Sequence, residues 1–167
     1  AERVETSNTR RIVRALEVIE ITGRPFSASL PRYEDIAPTV HIALRCERRL
    51  LDLRINERAR AMFDGGLVEE VEALIDQGIR EGETAPRAIG YAQALAVIDG
   101  TMSVPEAVDS TALATRQLAS RQIKWFRRDP RLHWIDVALT ETGQCTDSER
   151  SRLTRQAWEL VCARRGV

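Results

Sequence analysis

Thr115 to Arg128 reads TRQLASRQIKWFRR, with five basic residues, no acid and an adjacent Trp–Phe pair in a chain of net charge zero. Extended to Arg131 it holds Arg116, Arg121, Lys124, Arg127, Arg128 and Arg131 against Asp129 alone, a local charge of +5. Lys124 is the sole lysine of the 167 residues. Dense positive charge interleaved with flat rings suits a polyanion that carries stackable bases, which is the chemistry of nucleic acid. On a helix Arg116, Ser120, Lys124 and Arg127 share one face a turn apart. Acids are missing at the positions that would make this row an ion-pair ladder. A solvated basic face on a packed helix is the plainer reading.

Arg58 is the second candidate. Leu51, Ile55, Ala59 and Met62 form the inward stripe of its helix, and the spacing places Arg58 along the centre of that stripe. An inward guanidinium requires an anion, because an unpaired buried charge is strongly unfavourable. Its planar fork fits a carboxylate of the chain or a bound diphosphate, and the spacing leaves both open. Arg10, Arg11 and Arg14 read as surface helix arginines. Ala88-Ile89-Gly90-Tyr91 sets a glycine in an apolar helical run, for close helix packing or close approach of a ligand. His41 and His133 lack a nucleophile partner and read as strand-flanking residues. There is no GxxxxGK[ST] loop, and no carboxylate pair stands out as general acid and base.

These residues need elements to hold them. Asn8 is expected to cap a helix to about Thr22, with Ile12, Ala15, Leu16 and Ile19 inward and Gly23 and Pro25 as its stop. Phe26 to Pro38 reads as loop. Val40, Ile42 and Leu44 alternate with His41 and Ala43 as a short strand. Helices follow over Glu47–Phe63, ended by Gly65 and Gly66, then over Leu67–Asp76 and Ala88–Ile98. Ser103, Pro105 and Glu106 open a long helix to about Arg128 with a capping-box pattern, its stripe made by Val108, Ala112, Ala119 and Phe126. His133–Val137 is a second short strand, and Asp147 caps a last helix through Arg165. The sum is mainly α with two short strands, too few for a complete sheet-based domain.

With 43% hydrophobic and 30% charged residues the chain can bury a core. No run approaches the roughly 18 apolar residues of a membrane span, so no membrane partner is expected. Cys46, Cys145 and Cys162 are odd in number and far apart, which points to reduced thiols in a cytoplasm. The opening residues run straight into a helix, so the chain is expected to be a piece of something longer.

In order, the pieces resemble the tRNA dimethylallyltransferase family. Asn8…Arg11…Arg14-Ala15-Leu16-Glu17-Val18 with Thr22-Gly23-Arg24-Pro25-Phe26-Ser27 is similar to its NxxRxxRALEV…TGxxxS segment. Arg54-Ile55…Arg58…Met62 and Gly66-Leu67…Glu70-Val71 resemble its RIxxRxxxM…GLxxEV helices. Ala88 to Tyr91 matches AIGY, and Thr115 to Arg127 resembles TRQLAKRQxTWFR, followed by His133-Trp134-Ile135-Asp136. The likeness runs collinearly from about Asn8 to Val137.

The resemblance implies transfer of a dimethylallyl group from its diphosphate to the exocyclic amine of an adenine beside the tRNA anticodon, a base flipped out of its loop into a channel. By position, Arg58 would hold the diphosphate and stabilise the leaving charge. Arg10, Arg11, Arg14, Arg87, Gly90, Tyr91, Arg116, Arg121, Gln122, Lys124, Trp125 and Arg127 would contact tRNA. Ser120 stands where the family commonly has lysine, and Ala92 where it has a longer polar or basic side chain. The family's phosphate-binding loop and catalytic aspartate precede the matched region. The expected architecture is therefore the C-terminal part of a P-loop NTPase-like α/β fold plus the end of a helical insertion. Residues 1–38 would end the tRNA-clamping insertion and 39–167 would belong to the catalytic core. Magnesium is implied, with its ligands outside this chain, as are a monomer, an anticodon stem-loop as partner and inactivity of the isolated piece. Two other readings are a non-catalytic helical RNA-binding module and a phosphotransferase of related architecture, which would depend on nucleotide and leave the basic-aromatic row without a purpose.

Overall fold

The computed structural model describes residues 9–24 and 33–165. The elements are α1 (Thr9–Thr22), β1 (His41–Arg45), α2 (Arg48–Asp64), α3 (Leu67–Ala73), α4 (Tyr91–Ile98), α5 (Val104–Phe126), β2 (Leu132–Asp136) and α6 (Asp147–Arg165). Mainly helical structure with two short strands is what the periodicities led us to expect; that the strands pair in parallel is a finding of the structure. The chain divides into two compact units, Ala1–Glu34 and Asp35–Val167.

Among the described residues α1 is the only element of the first unit. Ala15 is buried there, but Leu16 and Ile19 are 60% and 41% exposed. The expected inward stripe is thus realised only in part, because its unit offers α1 no other described helix or strand to pack on. Asn8, the expected cap, lies outside the described residues.

In the second unit β1 and β2 run parallel in register from His41↔Leu132 to Arg45↔Asp136. Parallel strands cannot be joined by a tight turn. The crossover here is the whole run from α2 to α5. Arg45 closes the carboxyl end of the pair by donating from Nε and Nη2 to the two carboxylate oxygens of Asp136, at 2.5 and 3.0 Å. The main core gathers Phe63, Leu67, Val71, Ile79, Ala94, Leu95 and Ala107. A second cluster, Ile55 and Ala59 of α2 against Ala112 of α5, forms the seam between those two helices.

Three local expectations are corrected. Gly90 is outside α4, directly before its first residue, with φ +99°. Its backbone N–H donates to Gln93 Oε1 at 2.9 Å. Thr146, not Asp147, caps α6, its Oγ1 accepting from the backbone N–H of Glu149 at 3.2 Å. Of the two glycines after α2 only Gly66 takes a positive φ, at +93°. The long helix does begin with Glu106 reaching back, since Glu106 Oε2 accepts from both the backbone N–H and the hydroxyl of Ser103, at 2.8 and 2.6 Å.

Candidate nucleic-acid interface

The seam between α2 and α5 positions most of the candidate residues. Apolar side chains fill its centre, and two arginines cross its edges. Arg116 donates from Nη1 to Asn56 Oδ1 of α2. Arg48 donates from Nη1 to Ser120 Oγ at 2.7 Å and from Nη2 to the Arg116 carbonyl at 3.3 Å. The hydroxyl of Ser120 in turn donates to that same carbonyl, at 2.9 Å.

Beyond this anchored part, Arg121, Lys124 and Arg127 are exposed and make no ion pair or side-chain hydrogen bond to described residues. The row is therefore uncompensated charge, as the absence of nearby acids in the sequence suggests. Beside it lies a groove of about 740 Å³ whose lining includes Arg45, Arg48, Ser120, Lys124, Arg127 and Trp134. It opens at the carboxyl end of β1, where α/β folds characteristically take their ligands. Among the described residues its lining contains no acid. An adjoining apolar cavity of about 660 Å³ is lined by Leu44, Leu51, Ile123, Phe126 and Trp134 among others.

The aromatic pair is split between environments. Trp125 and Phe126 meet edge to face with ring centroids 5.0 Å apart. Trp125 is 64% exposed, and neither it nor Arg121 lines the groove; the two are four residues apart and share a face of α5 turned from the one that Ser120, Lys124 and Arg127 present to it. The ring on the groove wall is Trp134, which sequence reasoning did not single out; nor did it find Arg48. Neither carries a local signal, since both reach the groove only through the β1–β2 register and the antiparallel α2–α5 seam. Gln122 is exposed on α5.

Arg58 is exposed, which corrects the expectation of an inward guanidinium. Ile55, Ala59 and Phe63 are the buried residues around it, and they place the centre of the stripe toward Ala59. Arg58 therefore sits at its edge. Asn56 and Arg58 leave α2 on opposite flanks, roughly 160° apart at 3.6 residues per turn, so the structure does not bring Arg58 and Arg116 together. Arg58 has no ion-pair partner among the described residues.

The Ala88–Tyr91 stretch packs on the far end of α2. A Cβ on Gly90 would lie 3.2 Å from Met62 Cε and 3.5 Å from Leu67 Cδ2, so close helix packing accounts for this glycine. The Tyr91 hydroxyl donates to Glu70 Oε1 of α3, and that bond holds the phenol above its ordinary pKa. Arg87 is exposed on a short 3-10 turn. In the first unit Arg14 is exposed and pairs with Glu17 at 3.2 Å. The side chains of Arg10 and Arg11 lie outside the described residues.

Other charged groups are structural. His41 Nε2 and Arg131 Nη1 both meet Asp35 Oδ1, at 2.8 and 2.6 Å. The hydrogen bond to Arg131 holds Asp129 down to about 2. Cys46, Cys145 and Cys162 are unpaired.

The second unit is thus a helical domain with a parallel strand pair and a basic, tryptophan-walled groove at one strand's carboxyl end. The chain belongs to the IPP transferase family, whose pattern it matches over residues 1–129. It is 54% identical over 142 residues to the tRNA dimethylallyltransferase of Streptomyces avermitilis, covering 83% of this chain and 46% of that protein. To the Streptomyces coelicolor tRNA dimethylallyltransferase it is 48% identical over 161 residues, 96% of this chain and 49% of the other. Among solved structures, the full-length tRNA isopentenylpyrophosphate transferase of Bacillus halodurans superposes with a TM-score of 0.65 at 30% identity, over 98% of this chain and 48% of that one. The tRNA delta(2)-isopentenylpyrophosphate transferase of Staphylococcus epidermidis gives 0.62 at 28% identity, over 95% of this chain and 51% of that one. The chain thus spans about half the length of the curated relatives it matches.

Proposed function

We propose that the protein carrying this chain transfers the dimethylallyl group of dimethylallyl diphosphate to the exocyclic amine of an adenine beside the tRNA anticodon. The allylic C–O bond breaks and its electron pair leaves with the diphosphate. The amine nitrogen forms the new C–N bond and gives up one proton.

The observation that carries this reading is the uncompensated row of α5, with Lys124 and Arg127 lining a groove free of acids, in a member of the IPP transferase family. In this reading that row, with Arg116, Arg121, Gln122 and Trp125, contacts the anticodon stem-loop, as do Arg87, Gly90 and Tyr91 and, from the first unit, Arg10, Arg11 and Arg14. Phosphate contacts orient the RNA and the base is read in the channel. Arg58 holds the diphosphate. Its exposed side chain, free of any acid among described residues, suits an anion supplied from outside. Residues 1–38 end a helical insertion that clamps the tRNA, and 39–167 form the C-terminal part of a P-loop NTPase-like core. The 167 residues alone are inactive in this reading, and the whole protein is a cytoplasmic monomer.

Magnesium is the metal the family implies. Among the described residues no cluster of three His, Cys, Asp or Glu side chains could hold a metal ion. They do not fit it, and no step here runs through a metal. Among them, too, no helix is long and apolar enough to cross a membrane.

The test is transfer in the whole natural protein. Incubation with tRNA and dimethylallyl diphosphate should give a prenylated adenosine on digestion of the tRNA. Tight tRNA binding with no transfer would replace this reading by a non-catalytic RNA-binding one.

A further inference from the structure

Arg48 is used by neither the family pattern read from the sequence nor the reaction proposed above, yet it is the residue that completes the basic row. On α5 the row runs Arg116, Ser120, Lys124, Arg127, and Ser120 is its one uncharged place. The Arg48 guanidinium of α2 lies on that place, with Nη1 2.7 Å from Ser120 Oγ and Nη2 3.3 Å from the Arg116 carbonyl. Its Nε lies 2.9 Å from Asp52 Oδ1 in an ion pair, an oxygen shielded from solvent and without a hydrogen bond among the described residues. Asp52 neutralises part of the charge and fixes its direction, turning both terminal nitrogens toward α5.

A guanidinium has five N–H donors. The two hydrogen bonds leave one donor on each terminal nitrogen, while Nε is turned to Asp52 in an ion pair. The Arg48 side chain is 45% exposed and lines the groove with Lys124 and Arg127; among the described residues the lining itself includes no acid, and Asp52 pairs with Arg48 from behind. Ser120 and Lys124 are four residues apart, about 6 Å along the axis, so the Arg48 guanidinium prolongs the line that Lys124 and Arg127 begin. Arg45, across the groove, is spent on Asp136.

We propose that Arg48, held in register by Ser120 and Asp52, binds an RNA backbone phosphate and so supplies from α2 the cation that α5 lacks at Ser120. The inference rests on the reading of the α5 row as an RNA-facing surface.

The experiment measures the salt dependence of binding of a tRNA anticodon stem-loop to the protein in its natural length. Arg48→Gln removes the charge and keeps a donor for Ser120. It should weaken binding at physiological salt and lower the slope of log K against log salt by roughly 0.7–0.9, the share of one phosphate contact. Arg48→Gln with Ser120→Lys should restore the slope, because the charge returns to the same turn of α5. Arg127→Ala serves as the reference and should lower the slope by a similar amount. A normal slope for Arg48→Gln beside a reduced one for Arg127→Ala would make Arg48 a clamp between helices and overturn the inference alone. Normal slopes for every variant would overturn the reading of the α5 row as well. A lower melting temperature with an unchanged slope also counts against a phosphate contact, and the double variant then shows whether charge at this turn affects binding at all.

Discussion

Gly90 packs against Met62 so closely that a Cβ on the glycine would stand 3.2 Å from the methionine Cε. Its backbone is at φ +99° and ψ −54°, outside the regions L side chains favour. Gly90→Ala should therefore lose stability twice, by strain and by displacement of Met62 and Leu67. A denaturant titration should show a loss of about 1–3 kcal/mol from the backbone alone. Gly66→Ala is the comparison: its φ is +93° but the nearest atom to a new Cβ is Glu69 Oε2 at 3.6 Å, so it should lose less.

Arg58 separates chemistry from folding. It is exposed and has no partner among the described residues, so Arg58→Ala should change stability by no more than about 0.5 kcal/mol. If it holds the diphosphate, turnover should fall by roughly two decades or more, the scale of losing one anion-stabilising donor. Steady-state transfer assays and melting curves on one preparation check both, and unchanged turnover would remove Arg58 from the mechanism.

Glu149 ties α6 to the segment that follows β2. Hydrogen bonds from Arg152 and then from the Ala138 backbone N–H, the latter at 2.7 Å, hold its carboxyl down to about 2 from an ordinary 4.5. Because the folded value is depressed, the stabilisation is complete above pH 4.5 and is lost as pH falls toward 2. Glu149→Gln should melt below the wild type at neutral pH. The gap should narrow across that acid window and stay constant above it, as a pair of melting series would show.

Ile135 is 1% exposed in β2. Ile135→Ala should cost about 2–5 kcal/mol, the range for a truncated core side chain, and Ile135→Val about 0.5–1.5 kcal/mol. Chemical denaturation reads both. Equal small losses would mean that the strand pair contributes little to the cooperative unit.

Much of this fold is local and was legible in the sequence. The long helix starts at Ser103 because Glu106 can reach back three residues, a relation that needs no other part of the chain. The strands, the break after Ile98, an end of α5 within two residues of the expected Arg128 and the basic character of that helix follow likewise from spacing and residue type. Gly90 was legible only as a special glycine. Its place before α4 depended on the Met62 and Leu67 side chains it meets.

The site divides along the same line. The sequence by itself determined that α5 carries an uncompensated row of charge with one gap at Ser120, since helix periodicity is an intrinsic property of the chain. Only the tertiary structure decided which side of that row forms a groove, that Trp134 rather than Trp125 walls it, that Arg58 lies at the edge of its stripe, and that Arg48 covers Ser120. These depend on the seam between α2 and α5, where residues 72 positions apart meet. Local periodicity sets the angle of a side chain about its own helix. What that side chain faces is set by how two such surfaces interlock.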